Sequence, residues 1–286
     1  MTEPAVFDDR ACELGEGPLW HPLRAQFFWF DILGKRLLAR RDDERAEWRF
    51  DEHVSAAGWI DADTLLIAGE SGLWRLDLAS GARERLVAIE ADDPATRSND
   101  GRVDPFGGFW IGFMGKRAEA GRGTIYRFHR GRLAAVVRGL AVPNALCFAP
   151  DGSRVHYADT PDGRIMTMTL DAEGWPAAEA TVFADLREEG LRPDGAVIDA
   201  EGGLWNAQWG AGRVARYRPD GGFDRAIARG AAQTTCPSFG GEDYGSMLVT
   251  TARAGVAAPG SADGRTFLLD PGVRGRAEVA VRLAPA

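Results

Sequence analysis

Three oxygen-bearing side chains stand in similar local phrases along this chain. They are Glu16 in Gly15-Glu16-Gly17-Pro18, Asn144 in Val142-Pro143-Asn144-Ala145, and Asp194 in Arg192-Pro193-Asp194-Gly195. The set offers only oxygen, and two of its members are anionic. That chemistry suits a hard divalent cation such as Ca²⁺, Mg²⁺ or Mn²⁺, with water filling the remaining positions. With neither cysteine nor histidine in the set, a structural zinc site is disfavoured. Each residue alone also has an ordinary explanation: Glu16 as a turn cap, Pro143-Asn144 as a turn of its own, Asp194-Gly195 as a common Asp-Gly turn. Three further phrases share the template, Ala56-Ala57-Gly58-Trp59, Ser98-Asn99-Asp100-Gly101 and Cys236-Pro237-Ser238-Phe239. Gly58 and Ser238 show that the turn itself does not demand an acid.

Other chemistries find less support. There is no Gly-x-Ser-x-Gly elbow, and Gly69-Glu70-Ser71-Gly72 reads as a turn between strands. A serine or cysteine triad needs a histidine, and the chain has only His21, His53, His129 and His156. Three of these fall in strands or at their edges. His53, just before the second phrase, is the one placed near a shared site.

The six phrases recur at intervals of roughly 40–50 residues, the period of a propeller or repeat array. Each is followed by a turn and an apolar, aromatic-rich run, as in Phe27-Phe28-Trp29-Phe30, Thr64-Leu65-Leu66-Ile67 and Phe109-Trp110-Ile111. A second turn and a third run follow, as in Gly123 before Thr124-Ile125-Tyr126-Arg127-Phe128. The alternation has period two, so these are strands. The expected fold is all-β: a six-bladed β-propeller of three to four antiparallel strands per blade, occupying residues 1–286 as a single domain. Two β-sandwich domains are the alternative that length alone would favour, but a sandwich does not reuse one template six times. Ring closure is expected to pair a strand near residues 5–7 with one near residues 278–282, since closure hides unpaired strand edges. A propeller brings equivalent positions of its blades to one channel, so Glu16, Asn144 and Asp194 converge.

Composition narrows the partners. Net charge is −8 and no long basic block occurs, which disfavours a nucleic-acid binder. Apolar stretches are too short to span a bilayer as a helix. Met1-Thr2-Glu3-Pro4 lacks the basic and apolar regions of a secretory signal, and Cys12, Cys147 and Cys236 show no paired spacing. These features point to a cytoplasmic protein with reduced cysteines, and a monomer or weak homodimer is expected.

Gly-Glu-Gly-Pro-Leu-Trp around Glu16, Arg97-Ser98-Asn99-Asp100-Gly101, Pro143-Asn144 and Pro193-Asp194-Gly195 together resemble the senescence-marker-protein-30/gluconolactonase family, and the match runs along essentially the whole chain. The resemblance implies a six-bladed propeller that hydrolyses sugar lactones with one divalent metal ion. It places the metal ligands on Glu16, Asn144 and Asp194, and substrate contacts on Arg97 and Asn99. It makes Asp194 the catalytic acid/base, with Asp100 just behind the ligands. Oxygen donors do not choose among Ca²⁺, Zn²⁺, Mn²⁺, Mg²⁺ and Fe²⁺. The implied partner is a small-molecule sugar lactone. The alternatives are a non-catalytic calcium- or ligand-binding propeller and a propeller esterase or phosphotriesterase.

Relatives commonly read Gly-Thr-Met followed by acidic residues where this chain reads Gly112-Phe113-Met114-Gly115-Lys116-Arg117. Either Lys116 and Arg117 form a basic pocket rim that favours lactones with a second carboxylate, or they point to solvent from a loop. In Trp205-Asn206-Ala207-Gln208-Trp209-Gly210, Gln208 or Trp209 could approach the channel, while burial in the blade core is the ordinary role of such residues.

Overall fold

The computed structural model describes residues 5–228 and 230–283. Residues 1–4, read above for a secretory signal, lie outside the described residues. Strand β1 (Ala5–Asp8) precedes the first blade. Blade 1 holds β2 (Gly15–His21), β3 (Gln26–Asp31), β4 (Arg36–Arg41) and β5 (Glu44–Arg49). Blade 2 holds β6 (Val54–Trp59), β7 (Thr64–Gly69), β8 (Gly72–Asp77) and β9 (Arg83–Ala88). Blade 3 holds β10 (Thr96–Val103), β11 (Phe109–Gly115), β12 (Gly123–His129) and β13 (Arg132–Leu140). Blade 4 holds β14 (Pro143–Phe148), β15 (Arg154–Asp159), β16 (Arg164–Thr169) and β17 (Thr181–Asp185). Blade 5 holds β18 (Arg192–Ile198), β19 (Leu204–Trp209), β20 (Arg213–Tyr217) and β21 (Phe223–Ala228). Blade 6 holds β22 (Gln233–Gly240), β23 (Ser246–Ala252) and β24 (Thr266–Leu269), with β1 as its fourth strand.

Each blade is a four-stranded antiparallel sheet, and the first strand of each touches the first strands of its neighbours all the way round. The molecule is a six-bladed β-propeller, as the repeat requires. The turn phrases all fall on the inner strands, opening β2, β14 and β18 and lying further along β6, β10 and β22, and aromatic runs such as residues 27–30 become the second strands, buried between blades.

Ring closure differs from the expectation in one partner. β1 does close the ring, but it pairs with β24, with Ala5 opposite Leu268 and Val6 opposite Phe267. Pro271-Gly272 breaks the strand direction after β24, because proline has no amide proton to donate and Gly272 takes φ 72°. Residues 278–282 form no strand. They cross the end of the channel instead: the Val281 amide donates to Trp59 O at 2.8 Å and the Arg282 amide to Gly107 O at 2.8 Å. The Trp59 indole donates to Glu278 O at 3.0 Å. Val281 is buried among the apolar side chains between blades 2 and 3.

Two blades carry the same internal clasp. Asp104 accepts the amides of Phe106 and Gly108, the Trp110 indole and the Arg127 guanidinium. Asp199 accepts the amides of Glu201 and Gly203, the Trp205 indole and the Arg216 guanidinium. In each case a buried carboxylate has its acceptor capacity filled by a hairpin turn, a core tryptophan and the third strand, which fixes the blade's register.

Candidate active site

The inner strands begin at the channel end opposite the carboxy-terminal tail, and a cavity of about 390 Å³ opens there. Glu16 of β2, Arg97 and Asn99 of β10, Asn144 of β14 and Asp194 of β18 all line it. Asp100 does not; it is buried below, where one carboxylate oxygen accepts the Leu146 amide at 2.7 Å. Side chains from four blades are therefore gathered at one place.

Every inner strand has a register irregularity at this level. It lies between Glu16 and Leu19 in β2, Ser98 and Gly101 in β10, Asn144 and Cys147 in β14, and Pro193 and Ala196 in β18. A bulge inserts an unpaired residue, breaks the in–out alternation and re-aims side chains. Here it turns polar residues of otherwise buried strands toward the channel. Gly17 takes φ 52° in the first bulge, and a Cβ there would lie 2.2 Å from the Ser55 carbonyl oxygen. Only glycine fits. Ala145 adopts φ 56° at the matching place beside Asn144, a strained conformation of the kind found where function fixes the backbone. The Asn206 amide donates to the carbonyl oxygens of Asp194, at 2.8 Å, and Gly195, at 3.2 Å, and so holds the bulge of β18.

A run of hydrogen bonds passes around the cavity wall from blade 3 to blade 5. Arg97 Nη1 donates to Asn99 Oδ1 at 2.8 Å, and Asn99 Nδ2 donates to Asn144 Oδ1 at 3.0 Å. Asn144 Nδ2 donates to Thr160 Oγ1 at 2.8 Å, and that hydroxyl donates to Pro193 O at 2.8 Å. Thr160 thus decides which way the Asn144 amide points. Its nitrogen is held on the hydroxyl, and its oxygen keeps a free lone pair.

The charges in this wall are not balanced pairwise. Among the described residues neither Glu16 nor Asp194 has a salt bridge, and the hydrogen-bond partner of Glu16 is the Gly17 amide, at 3.0 Å. Burial, then the charge of Asp100, pushes Glu16 up to about 8. Burial, then Glu16 and Asp100, pushes Asp194 well above the usual carboxylate range. Asp100 rises to about 6, again chiefly through burial. Arg97 falls to about 10 because burial outweighs the attraction of Glu16, Asp194 and Glu70. Two dry carboxylates repelling each other beside an amide oxygen are a donor set that a divalent cation would relieve. The set contains only two carboxylates, and no group of three or more His, Cys, Asp or Glu able to hold a metal occurs among the described residues. A cation held here would also need the Asn144 carbonyl and water.

The profile of the SMP-30/Gluconolactonase/LRE-like region matches residues 14–253. The chain belongs to the SMP-30/gluconolactonase family. An L-arabinolactonase of Azospirillum brasilense is 36% identical over 91% of this chain and 88% of its own length. A 6-deoxy-6-sulfogluconolactonase of Pseudomonas putida is 34% identical, with 87% of each chain covered. Among solved structures, a calcium-binding protein, regucalcin, from Agrobacterium tumefaciens str. C58 superposes with a TM-score of 0.95 at 37% identity, covering 99% of this chain and 98% of that one.

Within this family frame, several secondary expectations resolve. Arg117 is 86% exposed and pairs with Glu119 at 3.1 Å, so it forms no part of a rim. Lys116 is engaged by Glu70 at 3.0 Å, and Glu70 also bonds His53. None of the three lines the cavity. Gln208 is buried in blade 5, donating to the Tyr217 hydroxyl, whereas Trp209 does line the cavity. The three cysteines are free and buried. Thr160 and Arg192 line the cavity and were not singled out from sequence. Arg192 adjoins the Pro-Asp-Gly phrase and was legible by position; Thr160 sits on a 3-10 turn (Thr160–Asp162) outside the repeat, where no spacing points to it.

Proposed function

We propose that this protein hydrolyses a sugar lactone, of the aldonolactone or aldarolactone type, to the open-chain sugar acid. The observation that carries the reading is the pair of buried, unpaired carboxylates with an amide oxygen and an arginine at the wall of one cavity. Family membership and the lactonases among the relatives support it. Glu16, Asn144 and Asp194 would hold one divalent ion, and a bound ion of this kind polarises the lactone carbonyl and acidifies a water. Asp194 is the general base. Its carboxylate takes the proton of the attacking water as the new C–O bond forms, then returns it to the ring oxygen as the ring C–O bond breaks. Arg97 and Asn99 orient the sugar: a planar guanidinium fork and an amide, already bonded to one another, present donors for its hydroxyls or carbonyl oxygen.

The test is acid release from glucono- and arabinonolactone by metal-stripped protein, with each of Ca²⁺, Mn²⁺, Mg²⁺, Zn²⁺ and Fe²⁺ restored in turn. Turnover that is lost on chelation and regained with metal supports the reading. Metal binding without turnover of any lactone would instead leave a non-catalytic calcium- or ligand-binding propeller. No helix among the described residues is long and apolar enough to cross a membrane; a cytoplasmic, monomeric or weakly dimeric enzyme is part of the same proposal.

A further inference from the structure

Arg192 opens β18 two residues before Asp194 and lines the same cavity. Its side chain is exposed, and among the described residues its guanidinium makes no hydrogen bond, ion pair or ring contact. That sets it apart from the other cations near the site. Arg97 is bonded to Ser98 O and Asn99 Oδ1, Lys116 to Glu70, and Arg117 to Glu119. Arg192 lies opposite Trp209 in the β18–β19 ladder, and Trp209, half-buried, lines the cavity as well. A flat apolar face and an uncommitted forked cation therefore stand together at the rim, with the carboxylate pair at the wall below.

We propose that Arg192 makes this a lactonase for anionic lactones, those with a second negative group, in the simplest case a carboxylate, on the carbon farthest from the ring carbonyl. The proposal rests on the lactonase reading of this site and adds its substrate class. A guanidinium binds a carboxylate through two parallel, charge-assisted N–H···O bonds, a pairing that fixes geometry as well as charge. The opposite end of the same molecule, the ring carbonyl, then has to reach the carboxylate pair, so one contact both selects and aligns the substrate. A neutral lactone ends in a hydroxymethyl group, which leaves Arg192 solvated and gains nothing from it. Arg192 thus takes the role that the sequence offered to Lys116 and Arg117.

The matched probes are D-glucaro-1,4-lactone and D-glucono-1,4-lactone, which share a ring and differ at the terminal carbon. Metal-restored wild-type protein, Arg192→Met and Lys116→Met are assayed on both at low and high salt. The wild type is expected to prefer the glucarolactone in kcat/KM by about tenfold or more at low salt, the size of one charge-assisted bond, with the preference shrinking as salt rises. Arg192→Met should erase that preference, mainly through the KM of the glucarolactone, whose loss exceeds that on the gluconolactone by about tenfold, while Lys116→Met leaves both unchanged. Equal losses on the two substrates in Arg192→Met, or a wild type without the preference, overturn the assignment while the lactonase reading stands on gluconolactone turnover. Turnover of neither lactone overturns both.

Discussion

In the proposed reaction Asp194 would both hold a cation and move a proton, and an amide at that position can do only the first. Asp194→Asn is therefore expected to lower kcat by ~10²–10⁴, the range of general acid–base catalysis, while metal-dependent stabilisation persists in weakened form. A thermal melt with and without metal, beside the lactone assay, separates the two roles; an unchanged rate sinks the assignment. Thr160 acts one bond further out. Thr160→Val removes the acceptor for Asn144 Nδ2, so the amide is free to turn its oxygen away. Metal affinity should fall by about 10–100-fold, as for other partners that orient a ligand, and Thr160→Ser should restore it. Isothermal titration of stripped protein reads this without reference to turnover. A different residue governs acid stability. His156, buried in β15 against Phe183 with its Nδ1 unpartnered, is held at about 4 by burial and by Arg154. Its folded value lies below its unfolded one, near 6.5, so the native state takes up its proton later than the unfolded chain. Its contribution, roughly 3 kcal/mol, is complete above pH 6.5 and is lost as pH falls from 6.5 toward 4. Urea melts of metal-loaded protein should show the first part of this fall, about 1 kcal/mol between pH 6.5 and 5.5, in wild type but not in His156→Phe; parallel slopes would refute it.

At the scale of the element, the bulged inner strand is the device that turns a packing unit into a site. The six starts were legible because Gly, Pro, Asp and Asn recur there in register, and each does begin or enter an inner strand. What the sequence concealed was the bulge. Period-two patterning assigns a face by counting, and one inserted residue resets the count, so Asn99 reaches the cavity while its neighbour Asp100 is buried beneath it. The fate of Lys116 was equally hidden, because its partner Glu70 belongs to another blade and no local pattern couples them. The Asp104 and Asp199 clasps show the opposite case. Both sit in the phrase Asp-x-x-Gly-Gly-x-Trp, yet the arginine that completes each lies 23 residues on in one blade and 17 in the other. Arg127 and Asp104 are both fully buried. Arg127→Met leaves Asp104 with its amide and indole donors but without a counter-charge, and should cost about 3–5 kcal/mol by urea denaturation. A loss under 1 kcal/mol would mean that the turn amides and the Trp110 indole alone satisfy the carboxylate.

Closure of the ring assigns different work to its two ends. At one end the strand starts are left open and collect the polar wall; at the other the chain's last described residues lie across the channel. Arg102 marks the boundary. It is buried near the end of β10, donates to Leu146 O at 3.2 Å and pairs with Glu278 of the tail. The expected strand at 278–282 would have left Arg102 facing an open channel, whereas the observed crossing supplies its counter-charge. The tail is thus a plug held by ionic and main-chain bonds to blades 2 and 3, while β1 alone provides the strand that closes blade 6. Glu278→Gln keeps the shape of the plug but strands a buried guanidinium, and should destabilise by about 3 kcal/mol, the lower end for breaking a buried pair. Because the lesion lies at the far end of β10 from Arg97 and Asn99, kcat/KM well below the melting temperature should stay within about twofold of wild type. Melting curves and steady-state assays on the same preparation test both halves. A protein that melts earlier yet turns over normally places the tail in stability alone; a matching fall in kcat/KM would mean that the two ends of the channel are mechanically coupled through β10.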